Sequence, residues 1–460
     1  MMTFGNIRSV YFLGAGGIGM SALARFFMAQ GKHVGGYDKT PTSLTDELIG
    51  EGMDIHFEDD ISKVESIFKN KSETLVILTP AIPKGHSEWE FFKSNGFEIM
   101  KRSQVLGLIT QDNYTVAVAG THGKTTTSSL IAHILRHANI PCTAFLGGIS
   151  KNYGTNLLIG AAHNGRHIMV VEADEYDRSF LTLFPDLAVI TSMDPDHLDI
   201  YGTPTEMQET YRSFACQVKP TGLLIHRAGL DVGKPNSRIT DYSLRGPSKQ
   251  HATNILVKDH RYIFDWTDGV ITYKGLTTGL PGEHNVENAV AAVTVTRSLG
   301  LSEEAIRQGL SSYAGVKRRF DYQVQSPEAV FIDDYAHHPE ELRACIRSAR
   351  DLYPGKKITG IFQPHLFTRT RDFADGFAES LSMLDELLLM EIYPARESPI
   401  PGVTSAMLID KITTPLKKLC SPEQVLDHIR SNKPEVLLTL GAGDIDQLVM
   451  PIRTLLEKKS

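Results

Sequence analysis

Residues 116–129, VAVAGTHGKTTTSS, combine a β-branched run with a glycine-containing turn and a lysine that is followed by three threonines. Backbone amides in such a turn can cradle phosphate, Lys124 can reach β- and γ-phosphate oxygens, and the Thr125 hydroxyl can bind Mg²⁺. The loop from Gly120 to Lys124 is shorter than the standard P-loop pattern, G-x-x-x-x-G-K-[ST]. An ATP site is favoured over a strand–helix turn that binds nothing.

A second glycine loop lies near the start of the chain. Residues 14–19 read GAGGIG, which fits G-x-G-x-x-G, and they follow the strand-like run VYFL at 10–13. Asp38 lies 19 residues beyond Gly19. Glycines let the backbone approach a pyrophosphate at a helix N-terminus, and an acid at this distance can bond a ribose hydroxyl. The motif leaves three alternatives open: a dinucleotide, another nucleotide diphosphate, or a tight turn without a ligand.

Acidic residues and a histidine follow two further apolar runs. EADEYD, at 172–177, places four acids within six residues at a predicted strand end, which is costly unless they are solvated or face a cation. Glu172, nearest the strand, is the predicted Mg²⁺ ligand, and a solvated acidic turn is the alternative. His197 lies among aspartates in DPDHLD, at 194–199. It could ligate a metal, act as a base or be structural.

The elements that must position these residues recur along the chain as an apolar run, a turn and a helical pattern. Examples are residues 10–27, 116–135, 330–350 and 436–448. Strands that alternate with helices predict parallel sheets with sites at the carboxyl ends of the strands. Stretches near 110–114 and 311–320 divide the chain into three predicted α/β domains, at 1–112, 113–315 and 316–460.

The composition is that of an ordinary globular protein. Apolar residues make up 41% of the 460 residues and charged residues 22%, and the net charge is −7. The acidic balance argues against a general nucleic-acid binder. The four cysteines are far apart and form no CxxC pair, so neither a zinc knuckle nor a disulfide framework is expected. With no signal-like N-terminus and no apolar run near 18 residues, we expect a cytoplasmic protein without a membrane span.

The motifs occur in an order that resembles the Mur ligases, ATP-dependent amide-forming enzymes of peptidoglycan precursor synthesis. The segments that carry the resemblance, along essentially the whole chain, are GAGGIGMSALA, GTHGKTTT, EADEYDRSF, DPDHLDIYG, GEHNVENAVAA, GVKRRFD, DDYAHHPEE and FQPHLFTRTRDF. The resemblance implies a Rossmann-like N-terminal domain that binds UDP, a central P-loop ATPase-like domain and a Rossmann-like C-terminal domain. The N-terminal glycine loop, DDYAHHP and HLFTRTR further resemble the branch of the family that adds L-alanine.

The resemblance also implies a ligand for each group of residues. The UDP of a sugar nucleotide, rather than NAD, would be held by Gly14, Gly16, Gly17, Gly19, Asp38, Ala81, Ile82 and Arg102. ATP would be held by Gly120, Thr121, His122, Gly123, Lys124, Thr125, Thr126, Asn285, Asn288, Arg319, Asp333 and Tyr335. Thr125 and Glu172 would bind one Mg²⁺ ion, and His197 a second. The amino acid would contact His337, His338, Arg369 and Arg371.

The implied activity joins L-alanine to the lactyl carboxylate of UDP-N-acetylmuramate through an acyl phosphate formed from ATP. Lys124, Glu172, His197 and His337 would be catalytic, with His337, or water that it orders, as the candidate base. A ligase that recycles a murein tripeptide onto the same sugar is the strongest alternative. An NAD-dependent oxidoreductase or a P-loop motor would leave one glycine loop without a role, and a folylpolyglutamate-type ligase should lack the N-terminal nucleotide domain. A monomer or homodimer is expected.

Two positions depart from patterns found in relatives. Several relatives that add other amino acids carry a lysine, modified to a carbamate, in the helix after the DPDHLD-like segment. Here that helix reads YRSFA at 211–215, without lysine, which leaves the support of the second metal ion open. Many alanine-adding relatives have an arginine directly after the histidine of the QPH segment, where this chain has Leu366. Binding of the amino-acid carboxylate would then rest on Arg369, with Arg371 as a further candidate, and a solvated helix start is the alternative for both.

Overall fold

The computed structural model describes residues 6–195, 198–395 and 397–457. The chain divides into two compact units. The first comprises residues up to Ser243 with Pro247–Gln250 and Ala291–Gly309, and the second comprises Leu244–Gly246, His251–Val290 and the residues from Leu310 onward. None of the helices in these described ranges combines the length and apolar content that a membrane crossing requires.

A parallel five-stranded sheet forms the N-terminal part of the first unit. Its strands are β1 (Ser9–Leu13), β2 (His33–Tyr37), β3 (Asp54–His56), β4 (Thr74–Leu78) and β5 (Glu98–Lys101). Its helices are α1 (Ile18–Ala29), α2 (Ser43–Gly50), α3 (Ser87–Ser94) and α4 (Arg102–Gln111), with a 3₁₀ turn at Ser66–Lys69. The strand order is β3-β2-β1-β4-β5. Every residue of the central β1 is buried, as expected for a parallel strand covered on both faces.

A second, mostly parallel sheet completes the first unit. Its strands are β6 (Tyr114–Ala119), β7 (Cys142–Phe145), β8 (Leu157–Leu158), β9 (Ile168–Glu172), β10 (Leu187–Ile190), β11 (Leu223–Arg227) and β12 (Arg238–Ser243). They lie in the order β12-β11-β10-β6-β9-β7-β8, and β8 is antiparallel to β7. The helices are α5 (Lys124–His137), α6 (Leu198–Tyr201) and α7 (Pro204–Cys216), with a 3₁₀ segment at Tyr176–Thr182. The carboxyl ends of β6 and β9 therefore lie side by side.

The second unit contains an antiparallel meander that the sequence pattern did not predict. It consists of β13 (Gln250–Lys258), β14 (Arg261–Thr267) and β15 (Thr272–Thr277). Two helices follow, α8 (Glu283–Ser298) and α9 (Glu303–Ser312), and their residues from Ala291 to Gly309 belong to the first unit. Trp266, Phe264 and Tyr262 alternate along β14 as buried side chains, the period-two pattern of a half-buried strand.

A six-stranded sheet forms the rest of the second unit. Its strands are β16 (Asp321–Gln325), β17 (Val330–Asp334), β18 (Ile358–Phe362), β19 (Glu386–Leu389), β20 (Leu416–Leu419) and β21 (Val436–Leu440). They lie in the order β16-β17-β21-β18-β19-β20, and only the β16–β17 pair is antiparallel within these described strands. The helices are α10 (Pro339–Leu352), α11 (Phe367–Asp372), α12 (Ala374–Leu381), α13 (Ser405–Lys411), α14 (Pro422–Ser431) and α15 (Val449–Glu457), with a 3₁₀ turn at Asp444–Leu448.

The prediction of α/β architecture with parallel sheets is confirmed. α10 also begins at Pro339, as predicted, and its predicted apolar face is buried: Leu342, Cys345, Ile346 and Ala349. α4 ends at Gln111 and β6 begins at Tyr114, whereas α9 ends at Ser312 and β16 begins at Asp321. The domain boundaries at 112/113 and 315/316 stay predictions.

Candidate active site

The ATP loop predicted at residues 120–126 connects β6 to α5. Gly120 has φ +133° and Gly123 has φ +81°, conformations that favour glycine. A Cβ on Gly120 would lie 2.0 Å from the Thr191 hydroxyl oxygen, so a larger residue would displace that threonine. The first turn of α5 contains no acidic residue, which leaves its N-terminus suited to an anion. Of the remaining loop residues, Thr121, Thr125 and Thr126 are buried and His122 is half-buried.

Lys124 is held by a carboxylate that the sequence analysis did not single out. Its Nζ donates to Glu175 Oε2 at 2.7 Å and Oε1 at 2.9 Å, and to the Gly120 carbonyl oxygen at 2.7 Å. Only 1% of Glu175 is exposed. Burial alone would lower the pKa of Lys124, but Glu175 and its acidic neighbours outweigh burial and raise that pKa. Lys124 is therefore a fixed positive charge at the start of α5.

Glu172 ends β9, the strand next to β6. It is paired in register with Val118, two residues before Gly120, so both chain segments leave the sheet at the same edge. Its Oε2 accepts a hydrogen bond from the Gly147 amide at 3.1 Å. A Cβ on residue 147 would lie 2.2 Å from that oxygen, so glycine is required for the backbone to approach the carboxylate this closely.

The oxygen donors beside the loop suit Mg²⁺. This ion binds hydroxyl and carboxylate oxygens and usually keeps waters and substrate phosphates as its other ligands. The Thr125 hydroxyl in the first turn of α5 and the Glu172 carboxylate at the neighbouring strand end have that chemistry. In the described ranges, no three His, Cys, Asp or Glu side chains form a metal-holding group. His197, the predicted ligand of a second ion, lies outside the described residues.

In the N-terminal glycine loop, β1 leads through Gly14 into α1. Gly14 has φ +92°, and a Cβ there would lie 2.3 Å from the Thr79 methyl carbon. Asp38, which follows β2, accepts a hydrogen bond from the Gly16 amide at 2.6 Å. The predicted acid therefore lies against the loop, and its contact with a ribose hydroxyl stays a prediction. In the turn after β4, Ala81 is exposed and Ile82 is half-buried.

Arg102 links this loop to the acidic cluster within the first unit. A Cβ on Gly19 would lie 2.9 Å from Arg102 Nη1, and Arg102 Nη2 lies 3.4 Å from Asp174 Oδ2. A cavity of about 220 Å³ occurs here. Its lining includes Gly17, Gly19, Thr79, Arg102, Gly147, Glu172 and Asp174. The N-terminal glycine loop and the predicted Mg²⁺ ligand thus share one cavity.

Two aspartates end β17 in the second unit. Asp333 Oδ1 accepts a hydrogen bond from the Thr439 hydroxyl at 2.7 Å, and Asp334 Oδ2 accepts one from the Phe320 amide at 2.7 Å. Burial raises the pKa of each carboxyl to about 6, and a neighbouring arginine opposes the rise at each position. Asp333, the predicted ATP-side residue, is therefore a buried carboxyl fixed by the adjacent strand β21.

His337 lies in the loop between β17 and α10. Its Nδ1 lies 2.9 Å from the Tyr335 carbonyl oxygen. Because a carbonyl only accepts, the neutral imidazole carries its proton on Nδ1 and its lone pair on Nε2, the atom that a base uses. Glu341 lies 3.4 Å from His337 Nδ1 and 3.8 Å from Arg319, whose guanidinium lies 5.1 Å from the centre of the Tyr335 ring. Glu341 therefore lies near both Arg319 and His337, and the Tyr335 ring lies beside the same two side chains.

The asparagines predicted to lie near adenine are on α8. Asn285 Nδ2 donates to the Pro281 carbonyl oxygen at 2.6 Å, and Asn288 Nδ2 donates to Asn285 Oδ1 at 3.3 Å. Both side chains are buried. The neighbouring His284 is half-buried, and desolvation of its ring lowers its pKa to about 4, so this ring is neutral near pH 7. The asparagines form a short hydrogen-bonded row, and their contact with adenine stays a prediction.

The residues predicted to contact the amino acid differ in burial. Arg369, on α11, is 7% exposed, whereas Arg371 is exposed and pairs with the carboxylate of the next residue at 2.7 Å. The geometry therefore favours Arg369 over Arg371 as a fixed cation. His338 is buried at the N-cap of α10, where Nδ1 accepts a hydrogen bond from the Glu340 amide at 3.4 Å. The imidazole of His338 thus has a structural role, and its contact with the amino acid stays a prediction.

Three family models match the chain in order. The Mur ligase family catalytic domain matches residues 9–114, the Mur ligase middle domain 118–296 and the Mur ligase glutamate ligase domain 318–443. A Parabacteroides distasonis protein named UDP-N-acetylmuramate–L-alanine ligase is 49% identical over 461 residues, which cover 100% of this chain and 99% of that protein. The chain belongs to the Mur ligase family.

Further similar proteins agree with membership in the Mur ligases. A Phocaeicola vulgatus protein of the same name is 48% identical over 462 residues, with 100% of each chain covered. The crystal structure of a Thermotoga maritima UDP-N-acetylmuramate–alanine ligase matches with a TM-score of 0.81 at 26% identity and covers 98% of each chain. The predicted family and the predicted three α/β domains are confirmed. Membership favours a ligase over the oxidoreductase and motor alternatives.

In this Mur ligase the predicted residues fall into two groups, one in each unit. The first group includes Gly19, Arg102, Lys124 and Glu172, and the second includes Arg319, Asp333, Tyr335 and His337. Glu175 was missed because a run of four acids gives no local basis for choosing the one that faces Lys124. The sequence signal that could have indicated a second role was the acidic run itself, because it contains more carboxylates than one metal ion needs.

Proposed function

We propose that this chain joins L-alanine to the lactyl carboxylate of UDP-N-acetylmuramate, with ATP and Mg²⁺. The observation that carries the proposal is the cavity shared by the N-terminal glycine loop, Arg102 and Glu172, in a chain 49% identical to a ligase with that name. A sugar nucleotide bound by the glycine loop would have its carboxylate in reach of the ATP side of the same unit. Arg102 is proposed to attract that anion.

In the first step a lactyl carboxylate oxygen attacks the γ-phosphorus of ATP. The new O–P bond forms while the bond to the β-phosphate oxygen breaks, which gives an acyl phosphate and ADP. Carboxylate and triphosphate repel each other, and Lys124 supplies a positive charge held in place by Glu175. Mg²⁺ bound by Thr125 and Glu172, with a second ion at His197, would neutralise further negative charge.

In the second step the amine of L-alanine attacks the acyl carbonyl carbon. The C–N bond forms, the C–O bond to phosphate breaks, and phosphate leaves with the second proton that the nitrogen loses. The ammonium of alanine must lose a proton before it attacks, and His337 Nε2 is the proposed acceptor because Nδ1 is oriented by the Tyr335 carbonyl. Arg369 is proposed to bind the alanine carboxylate, since a buried guanidinium is already ordered.

The remaining predicted residues complete the proposal. Asn285 and Asn288 would lie beside adenine, and Arg319, Asp333 and Tyr335 beside the ATP phosphates. We propose that the enzyme acts in the cytoplasm, where ATP is available, as a monomer or homodimer.

The test is phosphate release with ATP, Mg²⁺ and UDP-N-acetylmuramate, with one amino substrate added at a time. L-Alanine should give the fastest release, ahead of glycine and L-serine, and omission of either UDP-N-acetylmuramate or the amino substrate should abolish it. Release only with L-Ala-γ-D-Glu-meso-diaminopimelate would identify a recycling ligase instead. Release that needs neither cosubstrate would overturn the ligase mechanism. Mass spectrometry of the UDP-linked product distinguishes amide formation from ATP hydrolysis.

A further inference from the structure

Asn156 is a fully buried amide in the chain that connects β7 to β8. Its Nδ2 donates to the Ile18 carbonyl oxygen at 2.6 Å and to the Ser21 hydroxyl at 2.9 Å. Its Oδ1 accepts a hydrogen bond from Arg25 Nη1 at 2.6 Å. All three partners lie on α1, the helix that begins directly after the N-terminal glycine loop. A side chain from the central region therefore holds the start of the helix that presents this loop.

Arg25 extends the contact into a network. Its side chain is 8% exposed and pairs with Glu51 at 2.7 Å and with Glu47 at 3.2 Å. Burial alone would lower the pKa of this guanidinium, but Glu51 and Glu47 outweigh burial and raise it. The planar guanidinium thus bonds two carboxylates and the Asn156 amide at once, a geometry that lysine cannot reproduce. A fully hydrogen-bonded network of this kind makes the local structure rigid.

The antiparallel pair β7 and β8 with its connection, here called the β7–β8 hairpin, also reaches Glu172. The Asn156 carbonyl oxygen accepts a hydrogen bond from the Leu146 amide at 2.9 Å. The next residue, Gly147, donates its amide to Glu172 Oε2 at 3.1 Å, and no Cβ would fit between them. One short path therefore runs from the Ile18 carbonyl, through the side chain and backbone of Asn156, to the predicted Mg²⁺ ligand.

We propose that Asn156 is a positioning residue that couples the sugar-nucleotide loop to the ATP and Mg²⁺ site. A shift of α1 on sugar-nucleotide binding moves the hairpin that contacts Glu172, and a shift of Glu172 on Mg²⁺·ATP binding moves α1. Each ligand therefore strengthens the binding of the other by the same factor, as thermodynamic linkage requires. The inference rests on the proposed function, because it takes the two ligands from there.

The test is calorimetric titration of UDP-N-acetylmuramate into the enzyme with and without saturating Mg²⁺·adenylyl imidodiphosphate. In the wild type the analogue should tighten binding by about fivefold or more. Asn156→Asp keeps the size of the side chain and the acceptor for Arg25 but places an oxygen against the Ile18 carbonyl. In this variant the factor should fall to about one. Asn95→Asp is the matched control, because Asn95 donates to the Phe91 carbonyl on the exposed end of α3, and it should keep the wild-type factor.

A second variant covers the case in which Asn156→Asp does not fold. Arg25→Lys keeps the positive charge beside Glu51 but loses the donor to Asn156, so the coupling factor should fall by about half or more in a protein with an intact melting transition. A wild-type factor of one, or an unchanged factor in folded Asn156→Asp or Arg25→Lys, would overturn the coupling role. If the coupling role fails but the wild type still joins L-alanine to UDP-N-acetylmuramate, the proposed function is unaffected. If the wild type neither binds nor turns over UDP-N-acetylmuramate, both the proposed function and the coupling role are overturned.

Discussion

At the scale of single residues, the site relies on side chains that are held by a partner. Lys124 is fixed by Glu175, and His337 is oriented by the Tyr335 carbonyl. A buried ammonium without a partner would be costly, and the hydrogen-bonded carboxylate compensates for lost hydration. Catalysis gains from such preorganised charges because they need no rearrangement when the reaction occurs.

Glu175→Gln tests whether the lysine must be held by a charge. We expect a lower melting temperature, since loss of one partner of a buried ion pair costs about 3 to 5 kcal/mol, and a turnover number reduced by about tenfold or more. Asp177→Asn is the control, because Asp177 pairs with Lys101 on a partly exposed surface and such pairs contribute about 0 to 1 kcal/mol. Wild-type turnover in folded Glu175→Gln would contradict the positioning role.

His337→Gln separates the two chemical steps. Amide formation should slow by about 100-fold or more, while hydroxylamine should still trap the acyl phosphate as a hydroxamate at the wild-type rate. His338→Asn is the control, because asparagine also serves as an N-cap and should preserve α10. If hydroxamate formation is lost together with the amide, His337 acts before the second step and is not its base.

Arg369 and Arg371 form a matched pair on one helix. Arg369→Ala should raise the KM for L-alanine by about tenfold or more, because it removes a charge-assisted contact to the carboxylate. Arg371→Ala should change that KM by less than about twofold, since its guanidinium is exposed and already bonds the neighbouring Asp372. Steady-state kinetics with L-alanine varied decide between them, and a larger effect of Arg371→Ala would reverse the assignment.

At the scale of helices and strands, strand ends position most of the proposed site residues, whereas one buried ionisable group on a helix lies outside the proposed chemistry. Glu88, at the start of α3, is fully buried and accepts a hydrogen bond from the Tyr11 hydroxyl of β1 at 2.7 Å. His56 of β3 lies 2.8 Å from the same hydroxyl. Burial raises the pKa of Glu88 to about 7 and outweighs the hydrogen bond from Tyr11, which lowers it, while the charge of Asp59 adds to the rise.

This group predicts a pH-dependent stability. Between pH 4.5 and about 7 the folded chain keeps the Glu88 proton that the unfolded chain releases, so the contribution of Glu88 to stability falls as the pH rises through this window. One such proton corresponds to a slope of about 1.4 kcal/mol per pH unit. Glu88→Gln keeps an acceptor for Tyr11 and cannot ionise. Its melting temperature should match that of the wild type near pH 4.5 and exceed it increasingly up to pH 7.

The difference in melting temperature between the wild type and Glu88→Gln isolates the contribution of Glu88 from that of its neighbours. His56 and His86 have pKa values lowered by burial, so their contributions run in the opposite direction with pH. Both histidines are present in the wild type and the variant, and subtraction removes most of their effect. A difference in melting temperature that is independent of pH would contradict the raised pKa of Glu88.

At the scale of the whole molecule, binding should stabilise the folded state by mass action. A ligand at 100 times its dissociation constant stabilises by about 2.7 kcal/mol when it binds only the folded chain. Mg²⁺·adenylyl imidodiphosphate and UDP-N-acetylmuramate should each raise the melting temperature. Glu172→Gln should lose the Mg²⁺-dependent part of the nucleotide response and keep most of the sugar-nucleotide response. Addition of EDTA to the wild type should mimic the variant, and a full Mg²⁺ response in Glu172→Gln would exclude Glu172 as a ligand.

The local pattern of the sequence was enough for the α/β class and for the positions of the site residues along the chain. Apolar runs followed by glycine or acidic turns correspond to β1, β6, β9 and β17, because short buried strands and their turns depend on neighbouring residues. The antiparallel meander β13–β15 was not foreseen, since its strands are half-buried and their pairing depends on long-range register.

Only the tertiary structure decided which side chains meet. The sequence offers four neighbouring acids as partners of Lys124 and gives no reason to choose Glu175. That choice depends on how β9 and α5 pack together, and the two residues are 51 positions apart in the sequence. Asn156 meets Ile18 across 138 residues, a contact that no local pattern encodes. Arg369 and Arg371 are two residues apart in sequence, and packing alone buries one and exposes the other. Motif spacing therefore determines the kind of chemistry, whereas packing determines which groups position the reactive side chains.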